Sequence, residues 1–213
     1  MVVRTNDDPL SAADGLRRGE RKRGGRSAGA GQKHGRAPYR SMAGCSMEAV
    51  VTCTQEDQVW EATMKCDYTP GGESTVEVTA PETIAGVKAV LTEDDWSLVY
   101  EDICLNAGTL SEEAVSPAVC LPRLMSALRD GWLLEENRED WDEAACQHLT
   151  LDQTGSGGGK IVSDLWLRQD TGTPVRGEIS VDGEIILTAE FTNFSFYDTI
   201  ANQSGQAETS PAV

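Results

Sequence analysis

The sequence predicts an α+β domain in which an antiparallel sheet curls without closing and carries a short helical insertion on its concave face. Three observations predict it. Residues Ile161 to Phe196 read as three successive strands, with Asp182-Gly183 as a two-residue reversal between Val175–Val181 and Glu184–Phe196. Both central residues of such a turn need positive φ, which Asp-Gly tolerates. Between Gln58 and Tyr68, Trp60, Ala62, Met64, Cys66 and Tyr68 alternate with Glu61, Thr63, Lys65 and Asp67, the period-two pattern of a strand with one wet face. In one segment the period changes: after Ser116 as N-cap and Pro117 at the first helical position, Leu121, Leu124, Met125 and Leu128 fall at i, i+3, i+4 and i+7, and Gly131 ends the run. Pro122 is expected to break the first turn, with a better helix starting there.

The other elements follow in order. Glu48–Thr54 pairs with the alternating strand across Gln55-Glu56-Asp57, and Thr69-Pro70-Gly71-Gly72 turns the chain into a third strand, Ser74–Thr79. Pro81 to Gly86 is a crossing segment, followed by strands Val87–Leu91 and Trp96–Cys104 on either side of Glu93-Asp94-Asp95. After the helix come Trp132–Glu136 and Cys146–Leu151, separated by the acidic Glu139–Glu143 stretch. A Gly/Ser loop at Thr154–Gly159 precedes Ile161–Gln169, and Asp170 to Pro174 make the next turn. This gives about ten strands and one to two helices.

Charge divides the chain. Residues 1–44 hold 10 Lys/Arg against 4 Asp/Glu, whereas residues 45–213 hold 8 against 31. A basic, Gly/Ser/Ala-rich segment with one aromatic residue, Tyr39, reads as a disordered tail. Residues 45–200 read as one globular domain, and 201–213 as a polar terminus. An acidic domain repels nucleic acid and anionic bilayer surfaces, which are bound through Lys and Arg, so no nucleic-acid role is expected. No run of apolar residues is long enough for a membrane-spanning helix. The charged text after Arg17-Arg18 stands where a secretory signal would need an apolar core. The Arg/Gly/Ala-rich text before Gly44 resembles a GC-rich gene read from a wrong start or frame, and the expectation is a native N-terminus that differs from residues 1–44.

Chemistry-bearing patterns are sparse. Gly155 to Lys160 resembles a phosphate loop but has Ile161 where Ser or Thr is needed, and a strand follows instead of a helix. The acidic runs lack the Asp-x-Asp-x-Asp-Gly spacing of a calcium loop. No metal and no cofactor is expected. His148, set in a strand, is the only histidine outside the tail, and a hydrolase built on it is the weakest of the functional readings. The six cysteines include no Cys-x-x-Cys. A hairpin turning near Glu56 brings Cys45 to about one position from facing Cys66, which makes that pair the disulfide candidate. The other four read as buried thiols.

The closing block also carries a resemblance. Trp166 on a strand, the turn Thr171-Gly172-Thr173-Pro174, Arg176 on the next strand, and the run Asn193-Phe194-x-Phe196 are together similar to the closing strands of the LolA/LolB-like lipoprotein-carrier family. A weaker similarity extends back to about Cys45 through "YTPGGESTVEVTAPETIAGVKAVL". Ser41-Met42-Ala43-Gly44-Cys45 also resembles a lipobox, though no hydrophobic stretch precedes it. The resemblance implies a half-barrel whose concave face accommodates acyl chains, no enzymatic activity, and an extracytoplasmic, envelope-associated protein. Membrane association is then expected only through a lipid anchor on a different N-terminus. On this reading Trp60, Ala62, Met64, Leu124, Leu128, Leu165 and Leu167 line the cavity, and the partners are lipids or lipoprotein acyl chains. The alternative is an envelope or sporulation-type protein-interaction module whose cavity is plugged by its own helix.

Overall fold

The computed structural model describes residues 35–55, 58–92, 95–109, 115–155 and 159–197. Eleven strands form one antiparallel sheet in the spatial order β6-β5-β4-β3-β2-β1-β11-β10-β9-β8-β7. Among the described residues the sheet does not close, and β6 and β7 are its two edges. In chain order the strands are β1 (Cys45–Gln55), β2 (Gln58–Tyr68), β3 (Ser74–Ala80), β4 (Lys88–Leu91), β5 (Asp95–Tyr100) and β6 (Ile103–Thr109). They continue as β7 (Trp132–Trp141), β8 (Ala144–Asp152), β9 (Ile161–Arg168), β10 (Pro174–Val181) and β11 (Glu184–Phe196). Two helices accompany them, α1 (Ala37–Ser41) and α2 (Pro117–Asp130).

The arrangement is that of two meanders, β1 to β6 and β7 to β11, joined where β1 pairs with β11. The reversals follow local chemistry. Asp182 (φ 52°) and Gly183 (φ 89°) take the left-handed conformations expected of a two-residue hairpin. The period-two pattern of β2 buries Ala62, Met64, Cys66 and Tyr68 on one face. The same face of the sheet holds Ala49 and Val51 of β1, Leu165 and Leu167 of β9 and Ile179 of β10, all fully buried. Helix α2 places Leu121, Leu124, Met125 and Leu128 in this core, and it touches β2, β3, β4, β8, β9, β10 and β11.

Several expectations are corrected. Helix α2 runs unbroken through Pro122: a proline near the helix start forfeits one early hydrogen bond, and the apolar stripe on the sheet holds the helix together around it. The single strand expected over Trp96–Cys104 is two strands, because Glu101 (φ 51°) and Asp102 reverse the chain between β5 and β6. The acidic stretch Glu139–Glu143, expected to separate two strands, is strand in its first three residues. β7 continues to Trp141, and the turn lies at Asp142 (φ 46°) and Glu143 (φ 64°).

The domain boundary expected at Cys45 falls inside the folded body. The Tyr39 ring is fully buried, packs on Phe196 with ring centroids 5.1 Å apart, and donates its hydroxyl to the Gly172 carbonyl at 2.7 Å. Arg36 donates from Nε to the Leu128 carbonyl at 2.7 Å and from Nη2 to the carbonyls of Ala127 (3.1 Å) and Gly131 (2.7 Å). The Ala127 carbonyl also accepts the Gly131 N–H at 2.9 Å, so Arg36 adds a second donor there and supplies one to the Leu128 and Gly131 carbonyls at the end of α2. Residues 1–34 and 198–213, with His34 and most of both expected tails, lie outside the described residues, as do residues 156–158 of the glycine-rich loop.

All six cysteines are free. The β1–β2 register sets Cys45 opposite Tyr68 and Cys66 opposite Met47, so the candidate disulfide pair is diagonal rather than facing, a spacing too wide for a disulfide. Cys45 itself is fully buried in β1. Burial pushes the Cys45 and Cys120 thiols up to about 12 and raises Cys66 well above the ordinary thiol range. Only Cys104 is exposed. A thiol-reactive dye at neutral pH is therefore expected to label one cysteine quickly and five only as fast as the protein opens. Fast labelling of two or more thiols would contradict this packing.

Candidate functional site

Two places on the molecule bring together side chains able to do more than fill a core. The first is a cavity of about 550 Å³ beside α2. Helical spacing builds one wall: Val119, Pro122, Arg123, Ser126 and Asp130 form a stripe on α2 adjacent to the stripe that meets the sheet. The opposite wall is the β2–β3 turn with Tyr68 and Thr69, the end of β4 with Leu91 and Thr92, and the chain leaving β8 at Asp152, Gln153 and Thr154. Tyr68 Oη and Ser126 Oγ are 3.0 Å apart, and Gln153 donates to the Arg123 carbonyl at 3.1 Å. Gln153 also accepts from Ser163 at 2.7 Å. The cavity thus has an apolar side (Leu91, Val119, Pro122) and a rim with Arg123, Asp130 and Asp152. Asp152 sits below its usual carboxylate range because Thr154 donates to it.

The seven residues expected to line a ligand cavity are brought together, but away from this opening. Ala62, Met64, Leu124, Leu128, Leu165 and Leu167 are buried in the core between α2 and the sheet, and Trp60 packs partly buried against it. None of the seven lines the 550 Å³ cavity. The stripe that does was legible as the second face of α2. Without the third dimension nothing marked it as facing an opening.

The second place is a row of side chains across the other face of the sheet. His148 of β8, Trp166 of β9, Arg176 of β10 and Glu190 of β11 stand side by side through the strand registers, and Glu139 of β7, opposite Cys146, lies diagonal to His148 on the same face. His148 Nδ1 lies 2.9 Å from Glu139 and Nε2 2.8 Å from Asp164. Its ring stacks on Trp166, with centroids 4.2 Å apart and planes 6° from parallel. Trp166 Nε1 donates to the same Glu139 carboxylate. The Arg176 guanidinium lies 4.4 Å from the Trp141 ring centroid and pairs with Glu178 at 2.6 Å and Glu190 at 3.0 Å.

This geometry removes the basis of the hydrolase reading. A general base needs one ring nitrogen free to take a proton from a nucleophile. Here each nitrogen of His148 meets a carboxylate, and both contacts are hydrogen bonds only when both nitrogens carry protons. The nearby hydroxyl, Thr150 Oγ1, donates to Asp164 at 2.6 Å and is not held by the imidazole. The row acts as a clasp between strands. Among the described residues no group of three or more His, Cys, Asp or Glu side chains is placed to hold a metal ion, and no helix is long and apolar enough to cross a membrane.

No family model matches the chain, and no curated protein matches it. Solved structures do. An outer membrane lipoprotein-sorting protein domain from Vibrio parahaemolyticus is similar over 81% of this chain and 91% of its own, at 10% identity and a TM-score of 0.45. A LolA superfamily protein from Nitrosomonas europaea covers 76% and 90%, at 13% identity and a TM-score of 0.43. LprF from Mycobacterium bovis covers 81% and 94%, at 18% identity and a TM-score of 0.43. Likeness at this level says nothing of ligand or partner. The solved structures that resemble this chain thus include LolA superfamily and lipoprotein-sorting proteins, all at low sequence identity.

Proposed function

We propose that this protein is a non-enzymatic binder of a lipid or acyl chain, held between α2 and the sheet and admitted through the opening beside α2. The observation that carries the reading is the 550 Å³ cavity on the flank of α2, which covers the core, a size within the roughly 300–1,000 Å³ of small-molecule sites. Helix α2 touches strands from β4 round to β8, a span of eight neighbours. Fourteen helical residues measure about 21 Å, whereas eight strands laid flat extend about 34 Å. The sheet must therefore curl toward the helix, which makes the face bearing Met64, Leu165 and Leu167 concave. A modest outward shift of α2 would join the cavity to that apolar face. The resemblance of the closing strands to the LolA/LolB-like family points the same way, and with it to the extracytoplasmic envelope.

A second reading rests on how closely α2 is seated. Leu121 and Leu128 are fully buried, and a Cβ on Gly177 of β10 would lie 2.7 Å from Leu124. On that reading the helix is a permanent plug and the outer surface binds a protein. Titration with a fluorescent fatty acid distinguishes the two. The carrier reading expects saturable binding that weakens at least severalfold in Met64→Ala or Leu124→Ala variants shown by circular dichroism to stay folded. Unchanged binding in folded variants would remove these residues from the site, and no binding by the parent protein would favour the plug.

A further inference from the structure

We propose that β7 is a docking edge for a basic, extended polypeptide segment of a partner protein, which adds to the sheet as a further strand. Among the described residues β7 ends the sheet with only β8 beside it, and along its ten residues every position but Trp141 is exposed. A free edge of that length presents a row of unpaired backbone donors and acceptors, and such edges accept added strands unless something blunts them. The side chains select the occupant. Glu135, Glu136, Glu139 and Asp140 lie on the strand and Asp142 and Glu143 in the turn after it, against Arg138 as the only cation. The register with β8 sets Glu135 and Glu139 on the face of Thr150 and Cys146, and Glu136 and Asp140 on the opposite face, beside Leu149 and Ala145. Side chains on either face of an added strand therefore meet a carboxylate.

The edge is also held in shape. Gln147 donates to Glu136 at 2.6 Å, and the Glu139 carboxylate is shared between His148 at 2.9 Å and Trp166 of β9, which fastens β7 across β8. A second copy of β7 would set carboxylates against carboxylates, so self-pairing is disfavoured at this edge. At its start Trp132 is 76% exposed, with Leu133 and Leu134 exposed beside it. In antiparallel addition this apolar seat meets the C-terminal end of the incoming segment. The partner chemistry is thus a run of Lys or Arg in extended backbone, followed by apolar residues. The other edge, β6, carries no charged side chain and offers no such choice of sign.

The test uses the full chain and a fluorescent ten-residue peptide that alternates arginine with valine and ends in two leucines, followed by anisotropy at low ionic strength. Saturable binding is expected, with a blue shift of Trp132 emission. A peptide of the same sequence with every backbone amide N-methylated cannot supply the ladder donors and is expected to bind at least tenfold more weakly. The Glu135→Lys, Asp140→Lys double variant, with unchanged circular dichroism, is expected to lose at least tenfold for the first peptide. Equal binding of the N-methylated peptide would reduce the effect to charge attraction and overturn strand addition. Undiminished binding by the double variant, absence of binding, or a dimer by light scattering that the double variant abolishes would each overturn it as well.

Discussion

Leu128→Ala is expected to lower stability by ~2–5 kcal/mol, the range for truncating a fully buried leucine. Leu128 has no exposed surface, lies in the last turn of α2, and gives its carbonyl to Arg36, so side chain and backbone are fixed at the same point. The core cluster it belongs to draws on both meanders, and no other helix of comparable length among the described residues is there to close the gap. Urea denaturation at neutral pH measures the loss as a fall in midpoint at constant slope. On the carrier reading a saturating fatty acid restores part of the loss, because a ligand that binds only the folded state stabilises it in proportion to the logarithm of its concentration. A loss below about 1 kcal/mol would mean that α2 is not packed on the sheet as described.

The second large effect is expected at Gly177 of β10, where the missing side chain leaves room for Leu124 of α2. A Cβ there would lie 2.7 Å from Leu124 Cδ1 and 3.1 Å from Cδ2. Leu124 is buried and cannot swing into solvent. Gly177→Leu is therefore an overpacking substitution, expected to cost ~1–3 kcal/mol and to push α2 away from β10. Leu124→Ala alone leaves a hole at the same place. The double variant Gly177→Leu, Leu124→Ala exchanges the side chain across the contact, so it is expected to be more stable than the sum of the single losses by about 0.5–3 kcal/mol. A double-mutant cycle in urea reads the coupling directly. Strict additivity would show that residues 124 and 177 do not touch.

What the sequence disclosed follows from how each element is solvated. β2 and β11 were legible to the residue because each has one wet face, and Asp182-Gly183 was legible because its backbone demands residues that tolerate positive φ. The reversal at Glu101-Asp102 was not, since neither residue is a turn former of comparable strength. β7 was expected only over Trp132–Glu136, and its second half was missed for the opposite reason to β2: as an edge with both faces wet it has no alternation to read. α1 is five residues long and depends on Tyr39 and Arg36 reaching Gly172 and α2, contacts that span more than ninety positions of chain. The Glu139–His148–Trp166–Arg176 row was hidden because its members meet only through strand registers. Trp166 and Arg176 were singled out by family resemblance alone, without any indication that they stand on the face away from the core.

Native mass spectrometry of the protein extracted gently from the cells that make it tests the central claim most directly. An apolar ligand held under α2 predicts a population heavier than the polypeptide by the mass of one lipid, at one per chain, released on activation as an organic-extractable species and diminished in Leu124→Ala. A bare polypeptide mass under conditions that preserve a control lipid carrier, or a stoichiometric protein partner without lipid, would contradict it and leave α2 as a fixed plug.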